Sequence, residues 1–359
     1  MPNKGLYVHI PFCKSKCAYC DFYSQCADYS IITEYISAIE KEIIKWGAYS
    51  YVFDTVYIGG GTPSLLGDKI GHLLNIIKSN LNITNTAEIT VEANPESCTD
   101  LFIDSALKNG VNRFSLGLQS SDDAQLKTLH RLHTKQDFEN CYNAIINKNI
   151  NNISIDIMLG LPGEDSFKKL KSTINYILNL NPTHISAYIL KVEENTVMYK
   201  MRDKYTFLDD EETAEQYLYL CDILQKSGYE HYEISNFAKK GYKSRHNLKY
   251  WQGVDYLGIG PAAHSLINER RFYCKASLRD FLTNPTYIND GTADPKSENI
   301  ILGLRLNTGY DFSNYPHIIP FLNKLCKNGY GSFTGTKFAL SNKGFLVSNN
   351  IICEILEKI

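Results

Sequence analysis

The feature that most restricts what this chain can fold into is an alternation, over roughly its first 230 residues, of short β-branched or aromatic runs with longer helical stretches. Strands are predicted at Leu6–Ile10, Thr55–Ile58, Glu88–Glu92, Arg113–Leu118, Ile153–Met158 and His184–Leu190. Amphipathic helices are predicted between them at Ile31–Lys45, Ile70–Leu81, Phe102–Lys108, Lys135–Asn147 and Phe167–Leu178. Each strand is nearly all apolar, as a strand buried on both faces requires, so the pattern reads as βα units on a parallel sheet. Six such units fall short of a closed eightfold barrel. The fold class expected is therefore α/β, a partial (β/α)6 barrel. The segment Glu298–Ile359, with helical periodicity and a hairpin around Gly329–Leu340, is expected to form a small C-terminal α+β domain of winged-helix type. We place domain boundaries at 1–235, 236–292 and 293–359, with Thr283–Lys296, rich in Asn, Asp, Pro and Gly, as a boundary loop.

The polar oddities cluster at the C-terminal ends of the predicted strands, the face on which parallel barrels build their sites. Cys13, Cys17 and Cys20, spaced C-x3-C-x2-C, follow the first strand, and Gly59-Gly60-Gly61-Thr62-Pro63 follows the second. Glu92-Ala93-Asn94-Pro95 ends the third strand, Gln119 the fourth, Asp156 lies in the fifth, and Glu193-Glu194 follow the sixth. Three thiolates can hold three irons of a [4Fe-4S] cube and leave the fourth open to a small-molecule ligand. A structural zinc site wants four closed ligands, and none of the other cysteines forms a second pair downstream. Cys26 reads as a solvent-shielded free thiol. The glycine run offers backbone N–H groups to an amino group, carboxylate or phosphate, while Glu92, Gln119, Arg131 and Asp156 offer hydrogen bonds and charge. Any one of these four alone is read as readily as an ordinary salt-bridge or surface residue.

Composition narrows the setting. With 359 residues, 43% hydrophobic, 21% charged and a formal net charge of -2, the chain resembles an ordinary soluble protein. Its Lys and Arg are scattered, which disfavours nucleic acid as a partner. No apolar run is long enough to span a membrane and no signal-peptide pattern opens the chain, so a cytoplasmic, reducing location is expected, with thiols rather than disulfides.

The cysteine loop, Gly59–Pro63, Glu92–Pro95 and the barrel-like order together resemble a radical S-adenosylmethionine (SAM) protein. Tyr7-Val8-His9-Ile10-Pro11-Phe12-Cys13, Ser115-Leu116-Gly117-Leu118-Gln119-Ser120 and Ile155–Gly163 are similar to the oxygen-independent coproporphyrinogen III dehydrogenase family, over essentially the whole chain. That resemblance implies Cys13, Cys17 and Cys20 as ligands of a [4Fe-4S] cluster with Tyr7 beside it. It implies Gly60, Gly61, Thr62 and Glu92 as SAM contacts, and Gln119, Arg131 and Asp156 at positions that meet a second SAM in the dehydrogenase. SAM would chelate the open iron, and an electron from the reduced cluster would cleave it to methionine and a 5'-deoxyadenosyl radical. Tyr19 would pack against adenine, and Phe22 would shield the cluster.

Two departures turn the expectation away from the dehydrogenase. Phe22 stands where that enzyme has a fourth cysteine, and only six residues precede Tyr7, where the enzyme carries an extension that contributes to its substrate site. The string His246-Asn247-Leu248-Lys249-Tyr250-Trp251 resembles the heme-binding H-N-x-x-Y-W signature of a heme-chaperone branch of the same family. His246 is then the expected axial ligand, with Tyr250 and Trp251 covering the macrocycle. A core histidine beside packing aromatics is the bland alternative. Gly258–Ala263 forms G-x-G-x-x-A without a dinucleotide fold around it and reads as close backbone packing. The function expected is heme binding and transfer to a recipient hemoprotein, with the cluster and SAM in support; the alternative is a radical SAM oxidoreductase acting on a tetrapyrrole. Further expected partners are an electron donor where SAM is cleaved, a membrane-associated recipient, and a second copy of the chain.

Overall fold

The computed structural model describes residues 2–26 and 28–359. Six strands follow the sequence pattern: β1 (Lys4–Ile10), β2 (Val52–Gly60), β3 (Asn82–Ala93), β4 (Arg113–Gln119), β5 (Ile153–Leu159) and β6 (His184–Ile189). Each pairs in parallel with the next, as in Val8↔Ile58 and Leu116↔Ile155, and the order β1 to β6 is preserved across the sheet. The intervening helices form where side-chain caps and apolar spacing coincide. Helix Tyr29–Gly47 starts where the Asp28 carboxylate accepts the Ile31 N–H, and it buries Ile32, Tyr35, Ile36, Ile39 and Ile43 on one face. Each such side chain contributes roughly 1.5–3 kcal/mol by leaving water. Helix Lys135–Ile146 opens on a reciprocal capping box between Thr134 and Asp137.

The sheet does not stop at six strands. β7 (Glu230–Glu233) and β8 (Asn236–Ala238) form a hairpin whose second strand runs antiparallel to β6. β9 (Tyr256–Ile259) lies parallel to β1, and β10 (His264–Ile267), β11 (Arg270–Cys274) and β12 (Tyr287–Thr292) continue antiparallel from it. The result is a twelve-stranded sheet, β12-β11-β10-β9-β1-β2-β3-β4-β5-β6-β8-β7, whose β7 edge is bridged by Leu306 opposite Glu233.

Two boundaries therefore differ from expectation. The division at 235/236 falls inside the β7–β8 hairpin, because the chain turns back to cover the β6 edge. The loop expected over 283–296 contains β12, whose exposed Asn289, Asp290 and Gly291 look like loop because an edge strand in water needs no apolar alternation. Among the close approaches, a Cβ on Gly258 would lie 2.2 Å from the His264 carbonyl oxygen and one on Gly260 2.8 Å from that of His9, so this run does serve backbone packing.

The C-terminal part is a small α+β unit. β13 (Tyr310–Asp311), β14 (Gly331–Thr334) and β15 (Lys337–Leu340) form an antiparallel sheet in the order β13-β15-β14, packed with helices Ile319–Lys327 and Ser348–Glu357. Its apolar residues, such as Phe312, Phe338 and Ile355, join the same buried cluster as the barrel.

Candidate functional site

The strand ends converge on one cavity of about 430 Å³. The cysteine loop after β1 forms one wall and is tied down at its centre. The Ala18 N–H donates to the Leu129 carbonyl (3.0 Å), and the Ala18 carbonyl accepts the Met198 N–H (2.7 Å). Cys13, Cys17 and Cys20 are half-buried free thiols that all line the cavity. The Thr62 hydroxyl donates to Cys13 Sγ (3.5 Å) and Arg131 Nη1 to Cys17 Sγ (3.6 Å). Among the described residues, no three His, Cys, Asp or Glu side chains converge on a point as one metal ion requires. A cube needs its thiolates spread around it, one per iron, so this donor set suits a cluster better than a mononuclear site.

The glycine run forms the adjoining wall. Gly60 has φ 113°, and a Cβ there would sit 2.5 Å from the His9 imidazole, so only glycine fits. Its N–H donates to Glu92 Oε2 (3.1 Å), and the Tyr57 hydroxyl donates to Glu92 Oε1 (2.8 Å). Gly60→Ala is expected to lower the unfolding free energy by about 1–3 kcal/mol, read from denaturant melts; an unchanged midpoint would show that this turn relaxes freely.

Gln119 sits at φ 65° at the end of β4, and Asp156 pairs with Gly117 from β5; both Gln119 and Asp156 line the cavity. Burial raises the Asp156 carboxyl, opposed by the hydroxyls of Ser186, Ser115 and Ser154. Ser115 Oγ stands 3.0 Å from Oδ2 and Ser154 Oγ 3.0 Å from Oδ1. Arg131 donates to Asn94 Oδ1 (2.8 Å) and the Gly117 carbonyl (3.1 Å) as well as to Cys17. Sequence reasoning missed Arg113, fully buried at the start of β4 and lining the cavity floor, and the part Asn94 plays in orienting Arg131. A charged residue opening an apolar strand was the available signal for Arg113.

Other expected positions are distributed differently. Tyr19 and Phe22 line the cavity, but Phe22 is 64% exposed, so as a shield it leaves most of its ring in water. Cys26 is a free thiol, as expected, yet it is exposed rather than shielded, because the loop turns it outward toward the Lys14 carbonyl. Tyr7 lines a second, adjoining chamber rather than the cysteine cavity, and it donates toward His9 Nδ1 (2.9 Å). His246, in helix Arg245–Trp251, also borders that chamber and is buried. Both its nitrogens are in use: Nδ1 is 2.8 Å from Thr55 Oγ1 and Nε2 is 2.8 Å from the Tyr250 hydroxyl. An iron reaches this imidazole only after one of those bonds opens.

Comparison with known proteins places this geometry. The radical SAM superfamily matches residues 7–177, the segment from Tyr7 into the fifth predicted helix. The heme chaperone HemW of Buchnera aphidicola (subsp. Schizaphis graminum) is 41% identical over 279 residues, covering 75% of this chain and 72% of that one. The chain belongs to the HemW family. HemW of Synechocystis is 33% identical over 337 residues (89% and 81% of the two chains), and HemW of Escherichia coli 36% identical over 272 residues (74% and 71%). Among solved structures, coproporphyrinogen III oxidase (HemN) from Escherichia coli superposes with a TM-score of 0.83 over 98% of this chain and 89% of that one. At 20% identity, that likeness is one of fold. HemW proteins thus share a radical SAM fold, whose cofactors are a [4Fe-4S] cluster and SAM. When bound, they supply one-electron chemistry; the chain supplies three spread thiols, a glycine wall free of Cβ atoms and a carboxylate beside it.

Proposed function

We infer that this chain is a heme chaperone, holding heme and passing it to a hemoprotein. The observation that carries the reading is its identity of 33–41%, over most of both chains, to proteins named heme chaperone HemW. We propose Cys13, Cys17 and Cys20 as the cluster ligands. Gly60, Gly61, Thr62 and Glu92 are proposed to hold the SAM amino and carboxylate groups, with Gln119, Arg131 and Asp156 on the far side of the cavity. His246 is proposed as the heme-iron ligand in a state in which helix Arg245–Trp251 has released it. No helix among the described residues is long and apolar enough to cross a membrane. A cytoplasmic site of action, a membrane-associated recipient, a second copy and an electron donor for SAM cleavage belong to the same proposal.

The test is a heme titration of the purified, cluster-loaded protein, expected to give saturable binding with the spectrum of a ligated heme. Absence of saturable binding would overturn the chaperone reading, as would anaerobic conversion of coproporphyrinogen III to protoporphyrinogen IX.

The SAM contact has its own pH signature. Burial pushes the Glu92 carboxyl up to about 7, opposed by the Tyr57 hydroxyl and the Gly60 N–H. Only the carboxylate pairs with an ammonium, and its share falls from about nine-tenths at pH 8 to about one-tenth at pH 6. SAM affinity measured by equilibrium dialysis should therefore fall about tenfold across that range. Glu92→Gln should bind more weakly at pH 8 and show a flat profile; a variant that keeps the wild-type slope removes Glu92 from the contact. For stability the sign is opposite, since a carboxyl raised on folding holds its proton longer in the folded state. Its contribution is then present below the unfolded value and lost as pH rises toward 7.

A further inference from the structure

The second chamber, about 270 Å³, adjoins the cysteine-lined cavity and shares Tyr57, Glu92, Tyr188 and Asn247 with it as a common wall. Its far side is built by the hairpin Glu233-Ile234-Ser235-Asn236 and by the helix that carries His246, Asn247, Tyr250 and Trp251. Two side chains there are left incomplete. Glu233 is 1% exposed, its Oε1 has no hydrogen-bond partner, and its Oε2 accepts only a long 3.3 Å bond from the Ser235 N–H. Asn236, 4% exposed and opposite Glu233 across the hairpin, has an unpartnered Oδ1. Burial pushes the Glu233 carboxyl up to about 7, opposed by the Ser235 N–H and by the Asn236 and Trp251 side chains, and neither side chain makes a well-formed bond to Oε1.

Buried acceptors without donors each cost about 1–3 kcal/mol, and native interiors rarely tolerate two side by side. What is missing is therefore a donor. Among the described residues, two carboxylates, Glu92 and Glu233, face the chamber and no Lys or Arg lines it. Its remaining walls are largely aromatic, with Tyr7, Tyr57, Tyr250 and Trp251. Carboxylates set among aromatic faces suit an organic cation, attracted by ring quadrupoles and a counter-ion together.

We propose that this chamber is a second ligand site, which takes a small organic ammonium ion from the cysteine-lined cavity, with Glu233 as counter-ion and Asn236 Oδ1 as second acceptor. It shares Glu92 with the proposed SAM contact and His246, Tyr250 and Trp251 with the proposed heme site, while Glu233 and Asn236 belong to it alone.

The experiment is anaerobic calorimetric titration of the cluster-loaded protein at pH 8 with n-butylammonium, against n-butanol as a neutral analogue, in saturating S-adenosylhomocysteine so that the SAM site is filled. Saturable heat is expected with the ammonium and none with the alcohol. Glu233→Gln should weaken the binding at least about tenfold, the worth of one charge-assisted bond, while SAM affinity stays within about twofold. No saturable heat would mean that water alone completes Glu233 and Asn236, and would overturn the proposal. So would an equal response to n-butanol, or saturable heat that appears only when S-adenosylhomocysteine is left out, which would place the amine at Glu92 instead. The wild-type comparison stands even if Glu233→Gln does not fold.

Discussion

Cys17→Ser protein, reconstituted anaerobically with iron and sulfide, is expected to lose nearly all of the [4Fe-4S] EPR signal that the wild type shows on reduction. A serine hydroxyl stays protonated where a thiol ionises, and it is a hard donor where iron-sulfur chemistry needs a soft one. Loss of one of three ligands also leaves Arg131 without the sulfur at 3.6 Å to which it donates, exposing a positive charge to a cluster that needs negative ligands. Cys26→Ser is the matched control. Its thiol is exposed and turned toward the Lys14 carbonyl, so the signal should be unchanged. A full signal in Cys17→Ser would remove Cys17 from the ligand set, and a lost signal in Cys26→Ser would bring in a fourth thiol.

His246→Ala is expected to abolish most heme binding, and Tyr250→Phe to strengthen it. Burial, with Lys249 and Arg113 adding repulsion, pushes the His246 imidazole down to about 3, so it is neutral at working pH, the form that offers iron a lone pair. A neutral ring has one donor and one acceptor nitrogen, and Thr55 and Tyr250 occupy both. The heme-free state therefore holds a bond that the heme-bound state must give up. Tyr250→Phe removes it from the heme-free state alone, so affinity should rise by about the worth of one hydrogen bond, roughly three- to tenfold. Unaltered heme binding in His246→Ala would place the ligand elsewhere. Weaker binding in Tyr250→Phe would show that the tyrosine holds the heme rather than the histidine.

The central sheet was legible because its signal is local. Six apolar runs separated by capped amphipathic helices specify buried parallel strands, and β1 to β6 lie in that order. The strands that cover the edges were not legible. β7 and β8 are four and three residues long, and β12 is polar and exposed, so none carries a period of its own. The same limit applies to the site. The cysteine spacing and the glycine run stand out in the sequence because each is a contiguous string. Arg113 and Glu233 do not, since each is one polar residue in an apolar or aromatic segment and takes its role from neighbours far away in the chain.

The string H-N-x-x-Y-W shows the difference most clearly. In sequence, His246 is an imidazole beside two aromatics. In the fold, helix Arg245–Trp251 packs against β2, its histidine is held by Thr55 from that strand, and its aromatics wall a chamber opposite the β7–β8 hairpin. Periodicity and spacing alone determined the βα order of this protein, the rim that carries its cysteines and the type of cofactor those cysteines suit. Only the tertiary structure decided that His246 is bonded at both nitrogens, that Tyr7 lines the adjoining chamber rather than the cysteine cavity, and that Glu233 and Asn236 face an incomplete chamber. The physical reason is range: a strand or a loop is specified by residues a few positions apart, whereas a buried donor or acceptor is satisfied by whatever the packing of distant segments brings to it.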